Sequence, residues 1–128
     1  MPIHIYGLAD IILAMTPESM FNILSDPTRL RALMLIQSEG EVCVCELTQA
    51  LHESQPKISR HLALMRDAGI VEARREGTWM HYSLNPSLPD WARQIVESSH
   101  AQLADLTVYR QDARRLSQMN NRPERICA

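Results

Sequence analysis

The chain has no apolar run long enough to cross a membrane. The longest, such as Ile11 to Met15, reach five residues, where a span needs roughly 20. Residues 1–10 hold no basic start followed by an apolar core and a small-residue cleavage site, so the expectation is a cytoplasmic protein with no membrane partner. Cysteine is scarce and odd in number: Cys43, Cys45 and Cys127. In a reducing compartment that favours thiols, metal ligands or redox switches over a disulfide framework. Positive charge is also lacking, with 13 basic against 15 acidic residues and a formal net charge of -2. There is no internal repeat and no low-complexity tract.

What remains is an ordinary globular composition, 45% hydrophobic and 22% charged over 128 residues, enough for one compact core. The charge is unevenly spread. Residues 1–54 carry seven acids against two bases (net −5), residues 55–82 five bases against three acids (net +2), and residues 83–128 six bases against five acids (net +1). The basic middle also holds His61 and His81, and marks a candidate binding face inside an acidic chain.

Apolar spacing and caps order the elements. Ile5, Leu8, Ile11, Ile12 and Met15 follow helical spacing. Thr16-Pro17 and Asp26-Pro27 each read as an N-cap followed by proline at the first helical position. The first of these helices spans about Pro17 to Leu24 and should bury Met20, Phe21 and Leu24; the second is stopped by Gly40. A helix from Val42 to Leu51 and another from Pro56 to Ala68 follow, separated by a short polar turn. The period then changes to two strands, Ile70–Arg74 and Trp79–Leu84, joined by a turn containing Gly77. One long helix begins near Leu88 and runs past Leu103 and Leu106. Helix, helix, turn, helix and hairpin is the order of a winged helix-turn-helix, mainly α with a two-stranded β wing. We place its DNA-binding and dimerisation domain at residues 1–110 and a polar C-terminal tail at 111–128.

A recognition helix presents polar and basic side chains opposite its core stripe. With Ile58, Leu62 and Met65 facing inward, Ser54, Gln55, Lys57, Ser59, Arg60 and His61 lie off that stripe. Such side chains at a helix start suit phosphate contact, and Gln55 or Arg60 can reach base edges of double-stranded operator DNA. Arg74, Arg75 and Thr78 add a wing tip for the backbone. Each residue alone is also readable as a solvated charge; their joint placement favours DNA. One unit makes few phosphate contacts, which a two-fold homodimer remedies. Leu8, Ile11, Ile12, Trp91, Ile95, Leu103 and Leu106 exceed the needs of a small winged core and are the candidate dimer surface, unless they complete the monomer core.

Cys43-Val44-Cys45 is the sharpest chemical feature. Two soft thiolates close in sequence chelate a thiophilic ion, although the pair also fits two small buried side chains. Residues two apart on a helix point roughly 200° from each other, so an ion should require a distorted or unwound first turn. That helix positions the recognition helix, which would make ligand and DNA antagonistic. A helix start should also favour the thiolate. Typical zinc spacing is absent, and no thioredoxin-like pattern surrounds the pair to suggest a redox enzyme.

Glu41 to Leu47, Ser54 to Leu62, Leu64 to Gly69, Gly77 to Tyr82 and Pro89 to Ala92 together resemble the ArsR/SmtB family, and within it the arsenic-responsive repressors. The resemblance spans about residues 20–98. It implies a homodimeric winged-helix repressor, needing no cofactor to bind DNA and released when As(III) or Sb(III) reaches Cys43 and Cys45. In the best-known members a third cysteine follows three residues later, where this chain has Thr48. The third ligand is then Cys127, a small cellular thiol, or none. Asp90, His100 and Asp105 do not match the last-helix ligand pattern of the related zinc and nickel sensors. The alternative is a same-fold regulator of thiol oxidation or of another thiophilic metal such as cadmium.

Overall fold

The computed structural model describes residues 15–119. Helix α1 (Pro17–Leu24) starts where the Thr16 hydroxyl accepts the Ser19 N–H at 3.1 Å, the arrangement that satisfies an orphan donor of the first turn. It buries Met20 and Ile23. Phe21, expected inside, is 58% exposed, because it sits one residue round from the Met20–Ile23 stripe. Helix α2 (Pro27–Glu39) is capped by Asp26, whose carboxylate accepts the Arg29 N–H at 3.0 Å. Ala32 to Ile36 are all buried, so α2 is the central helix of the core. Gly40 ends it at φ 86°, a conformation that glycine adopts without a Cβ penalty.

The chain then departs from the expected helix at Val42. Glu41–Cys43 is a short strand, β1, and helix α3 (Val44–Leu51) begins only after it. β-branched Val42 is fully buried opposite Tyr82, and pairing against a neighbouring strand outweighs extending the helix by two residues. Helix α4 (Gln55–Asp67) follows a connection turned by His52 at φ 56°, with Ser54 as its cap. Strands β2 (Val71–Glu76) and β3 (Trp79–Leu84) form the hairpin, its turn passing through Gly77 at φ 64°. The wing is therefore a three-stranded antiparallel sheet in the order β1-β3-β2.

The long terminal helix is two helices, α5 (Asp90–Leu103) and α6 (Thr107–Ser117), broken at residues 104–106. The packed chain runs through the expected boundary at residue 110, because α6 buries Leu116 and Asp112. Asp112 accepts from Arg31 Nε at 2.8 Å, Arg31 Nη2 at 2.7 Å and Arg115 Nη2 at 2.7 Å. Arg115 Nε also donates to the Ala50 carbonyl at 2.6 Å. A polar stretch is thus tied to the C-terminal end of α3 and to α2 through a buried ion cluster that an apolar-periodicity reading cannot detect. The expected N-terminal helix lies outside the described residues apart from Met15, which is buried. One core joins α1 to α6, and each of its fully buried side chains, such as Leu33, Leu47 and Leu62, contributes about 1.5–3 kcal/mol.

Candidate functional site

Cys43 ends β1 and is the N-cap of α3, with extended dihedrals of φ -81° and ψ 150°. Cys43 and Cys45 therefore straddle a strand–helix junction rather than two positions of one helix, and their sulfurs lie 3.1 Å apart. The expectation that a shared ion needs an unwound first turn is overturned: the helix starts one residue too late to separate them. Glu46 fastens the junction. Its buried carboxylate accepts the Cys43 N–H at 2.8 Å, half of a capping box.

Cys43 is only 1% exposed; Cys45 is half-buried and disulfide-bonded in this structure. The thiol of Cys43 does not gain the expected thiolate bias. Burial pushes it up, backbone N–H groups beginning with that of Cys45 oppose the rise, and the Glu46 charge adds to it. Thr48, at the position of the missing cysteine, donates its hydroxyl to the Val44 carbonyl at 2.9 Å within its own helix. Among the described residues, no three His, Cys, Asp or Glu side chains converge on one point. Cys127 lies outside them.

The two cysteines open onto a cleft of about 400 Å³. One wall is the junction itself, Cys43 to Cys45. The second is the start of α4, through Gln55 and Ser59, which share a face one turn apart. The third is the wing, through Thr78, Trp79, Met80 and Tyr82. The sequence reading assigned no role to Trp79, Met80, Tyr82 or Glu46. The approach of Met80 and Tyr82 to the cysteines depends on β1 pairing with β3.

Of the predicted reading residues, Gln55, Ser59 and Thr78 line that cleft. Gln55 and Arg60 are exposed and Ser59 is half-buried. Lys57 pairs with Glu53 at 3.0 Å. Ser54 caps α4, its hydroxyl accepting the Lys57 N–H at 3.3 Å. His61 does not join this face. It is 8% exposed and packs on the α2 start, with Nδ1 3.3 Å from Arg29 Nη1 and Nε2 3.7 Å from Asp26. Burial lowers its pKa, against the attraction of Asp26 and with repulsion from Arg29. On the wing, Arg75 and Thr78 are exposed. Arg74 is held by two carboxylates, Glu41 at 2.7 and 3.1 Å and Glu76 at 2.8 Å. The Arg74 guanidinium in turn holds the Glu41 carboxyl below its usual range. Glu41 lies two residues before Cys43, so the basic wing is tied directly to the strand that ends in the thiol pair.

The description "Bacterial regulatory protein, arsR family" matches residues 26–73, from the cap of α2 through the thiol pair and α4 into β2. The chain is 46% identical over 114 residues to the arsenic resistance transcriptional regulator ArsR1 of Pseudomonas putida, covering 86% of this chain and 84% of that protein. This chain belongs to the ArsR family. It is also 49% identical over 83 residues to the arsenical resistance operon repressor of Escherichia coli, covering 65% of this chain and 71% of that one. Among solved structures, the AntR antimony-specific transcriptional repressor superposes with a TM-score of 0.56 at 26% identity, covering 66% of this chain and 73% of AntR. ArsR-family membership makes the chain a DNA-binding transcriptional regulator of winged-helix fold and not an enzyme.

In this ArsR-family fold the expected dimer residues separate into groups. Trp91, 37% exposed, and half-buried Ile95 share an open hollow on α5 with Gln94, Ser98 and Ser99. Ile95 and Leu103 also pack partly on the core, while Leu106 is exposed at the α5–α6 break. Leu8, Ile11 and Ile12 lie outside the described residues. No helix among the described residues is long and apolar enough to cross a membrane.

Proposed function

We propose that the chain is a cytoplasmic, homodimeric repressor that binds operator DNA and is released when trivalent arsenic or antimony binds Cys43 and Cys45. The observation that carries this reading is the 3.1 Å separation of two sulfurs at the mouth of a cleft walled by α4 and the wing. Soft thiolates select thiophilic ions. When arsenous acid reacts with two thiols, two As–S bonds replace two As–O bonds and two waters leave, with no change of oxidation state. The names of the relatives support the metalloid class, arsenic in ArsR1 and antimony in AntR.

Coupling follows from position. Cys43 stands opposite His81 in the β1–β3 register of the wing sheet, and Cys45 lies in α3, the first helix of the helix-turn-helix. A metalloid bridging them ties β1 to α3 and biases the relation between wing and α4. If DNA requires a different relation, each ligand weakens the other by the same factor. No cofactor is needed for DNA binding itself. Gln55, Lys57, Ser59 and Arg60 would read or steady the DNA from α4. Arg75 and Thr78 would act from the wing, joined by Arg74 when phosphate displaces its carboxylates. His61 supports α4 from behind. Two copies, joined through Trp91, Ile95, Leu103 and Leu106 together with Leu8, Ile11 and Ile12, would address half-sites about 34 Å apart.

Fluorescence anisotropy of a labelled operator tests this reading. Arsenite or antimonite should return the signal to that of the protein-free operator. Release by peroxide with none by arsenite would overturn the metalloid assignment in favour of thiol oxidation. Arg60→Ala should weaken operator binding by about 1–3 kcal/mol, roughly fivefold to 150-fold, while direct arsenite binding is kept. Unchanged operator affinity would remove α4 as the reading helix.

A further inference from the structure

We propose that Arg29 and His61 are positioning residues for the reading helix α4 that work only while the imidazole is neutral, so that operator affinity falls in mild acid. This rests on α4 being the reading helix of the proposed function and is independent of the thiol pair. Three elements meet at the Arg29 guanidinium. Its Nε donates to the Ile23 carbonyl at 2.9 Å and its Nη2 to the Asn22 carbonyl at 3.2 Å, closing the last turn of α1. Its Nη1 lies 3.3 Å from His61 Nδ1 on α4. The Arg29 backbone N–H donates to Asp26, the cap of α2. A guanidinium has protons to give and no lone pair to offer, so Nδ1 is the acceptor of that contact. The imidazole is therefore neutral, with its proton on Nε2, the nitrogen that faces Asp26 Oδ2 at 3.7 Å.

A proton on Nδ1 turns this contact into two donors and two positive charges facing each other. Burial opposes that proton, as do Arg29 from α2 and Arg60 and Lys57 from α4 itself, while Asp26 from the α2 cap pulls the other way. The Asp26 carboxylate is already engaged by the Arg29 N–H. The acid form is accommodated by moving the ring, or the first half of α4, away from Arg29. Gln55, Lys57 and Arg60 lie within two turns of His61 on the same helix, so that movement misplaces side chains assigned to DNA. The sign is distinctive. Protonating an ordinary surface histidine adds positive charge and strengthens binding to a polyanion. Here docking favours the neutral ring, so its contribution is complete above the ordinary histidine pKa of about 6.5 and is lost as the pH falls below it.

The test follows the anisotropy of a labelled operator from about pH 5.5 to about pH 8 at constant ionic strength, with the full chain and with His61→Asn. The asparagine side-chain oxygen can accept from Arg29 where Nδ1 does, but takes up no proton in this range. Wild-type affinity should be level at neutral pH and fall below about pH 6.5, by up to about tenfold per pH unit for each protomer's proton. His61→Asn should bind within about tenfold of the wild type at neutral pH and show no such fall. Nitrogen NMR of the DNA-free wild type gives a second readout: the neutral His61 ring should carry its proton on Nε2 and titrate below about 6.5. A wild-type profile that does not fall relative to that of His61→Asn would overturn the inference and leave α4 as the reading helix. A proton on Nδ1, or a midpoint at or above about 6.5, would also overturn it, and that result stands even where the variant fails to fold. Absence of operator binding at every pH would overturn the proposed function as well.

Discussion

Replacing Cys45 by serine should leave operator affinity within about twofold of the wild type and raise the arsenite needed for release by about a hundredfold or more. The first figure follows because Cys45 is half-buried and sits in the first turn of α3, where serine is tolerated at about 0.5 kcal/mol. The second follows because closing the second As–S bond is intramolecular. With the sulfurs already 3.1 Å apart, the effective concentration of the second thiol is at least millimolar. Losing that closure leaves one exchangeable bond. Cys43→Ser is a poorer probe. Its side chain is fully buried at the N-cap, so a hydroxyl there alters the junction as well as the chemistry. A Cys45→Ser protein that releases DNA at wild-type arsenite would remove the pair as the inducer site.

The second large effect is on stability. Asp112→Ala should destabilise the fold by about 2–4 kcal/mol, measured as a shift of the denaturant midpoint at constant slope. Asp112 is 1% exposed and accepts three hydrogen bonds from Arg31 and Arg115. Removing it leaves two guanidinium groups side by side with their principal acceptor gone. Both retain some exposure, 19% for Arg31 and 30% for Arg115, which keeps the loss below that of a fully enclosed pair. The loss should be accompanied by early exposure of α6, since Arg115 also binds the Ala50 carbonyl at the end of α3. A midpoint within experimental error of the wild type would show that α6 is held by Leu116 packing alone.

How much of this was legible depended on which interactions are local. Caps and periodicity located α1, α2, α4 and the hairpin because Thr16, Asp26, Pro56, Gly40 and Gly77 act within a few residues of themselves; the Ser54 cap of α4 went unread. The start of α3 was misjudged by two residues because Val42 is decided by Tyr82, forty positions away. That small shift reverses the geometry of the cysteines: on one helix they diverge, across a strand–helix junction they meet. The C-terminal boundary was drawn too early because Asp112 and Arg115 look like solvent-facing charges until Arg31 is brought to them. Likewise, His61 counted as a polar residue at the start of a reading helix, whereas its place against Asp26 and Arg29 depends on how α4 packs on α2. The cleft, with Trp79 and Tyr82 beside the thiols, was beyond reach without the β1–β3 pairing. The chemistry itself, two soft ligands close to a basic reading surface, was visible in the residues.

The central claim is that a trivalent metalloid bound to Cys43 and Cys45 is what releases the DNA. Its most direct test is arsenic X-ray absorption on the arsenite-loaded protein, released from its operator, counting the sulfur neighbours of arsenic. The account predicts at least two sulfurs in the wild type and the loss of one in Cys45→Ser; Cys127→Ser compared alongside shows whether a third sulfur comes from that residue. An arsenic atom surrounded by oxygen alone, or a sulfur count unchanged in Cys45→Ser, would contradict it.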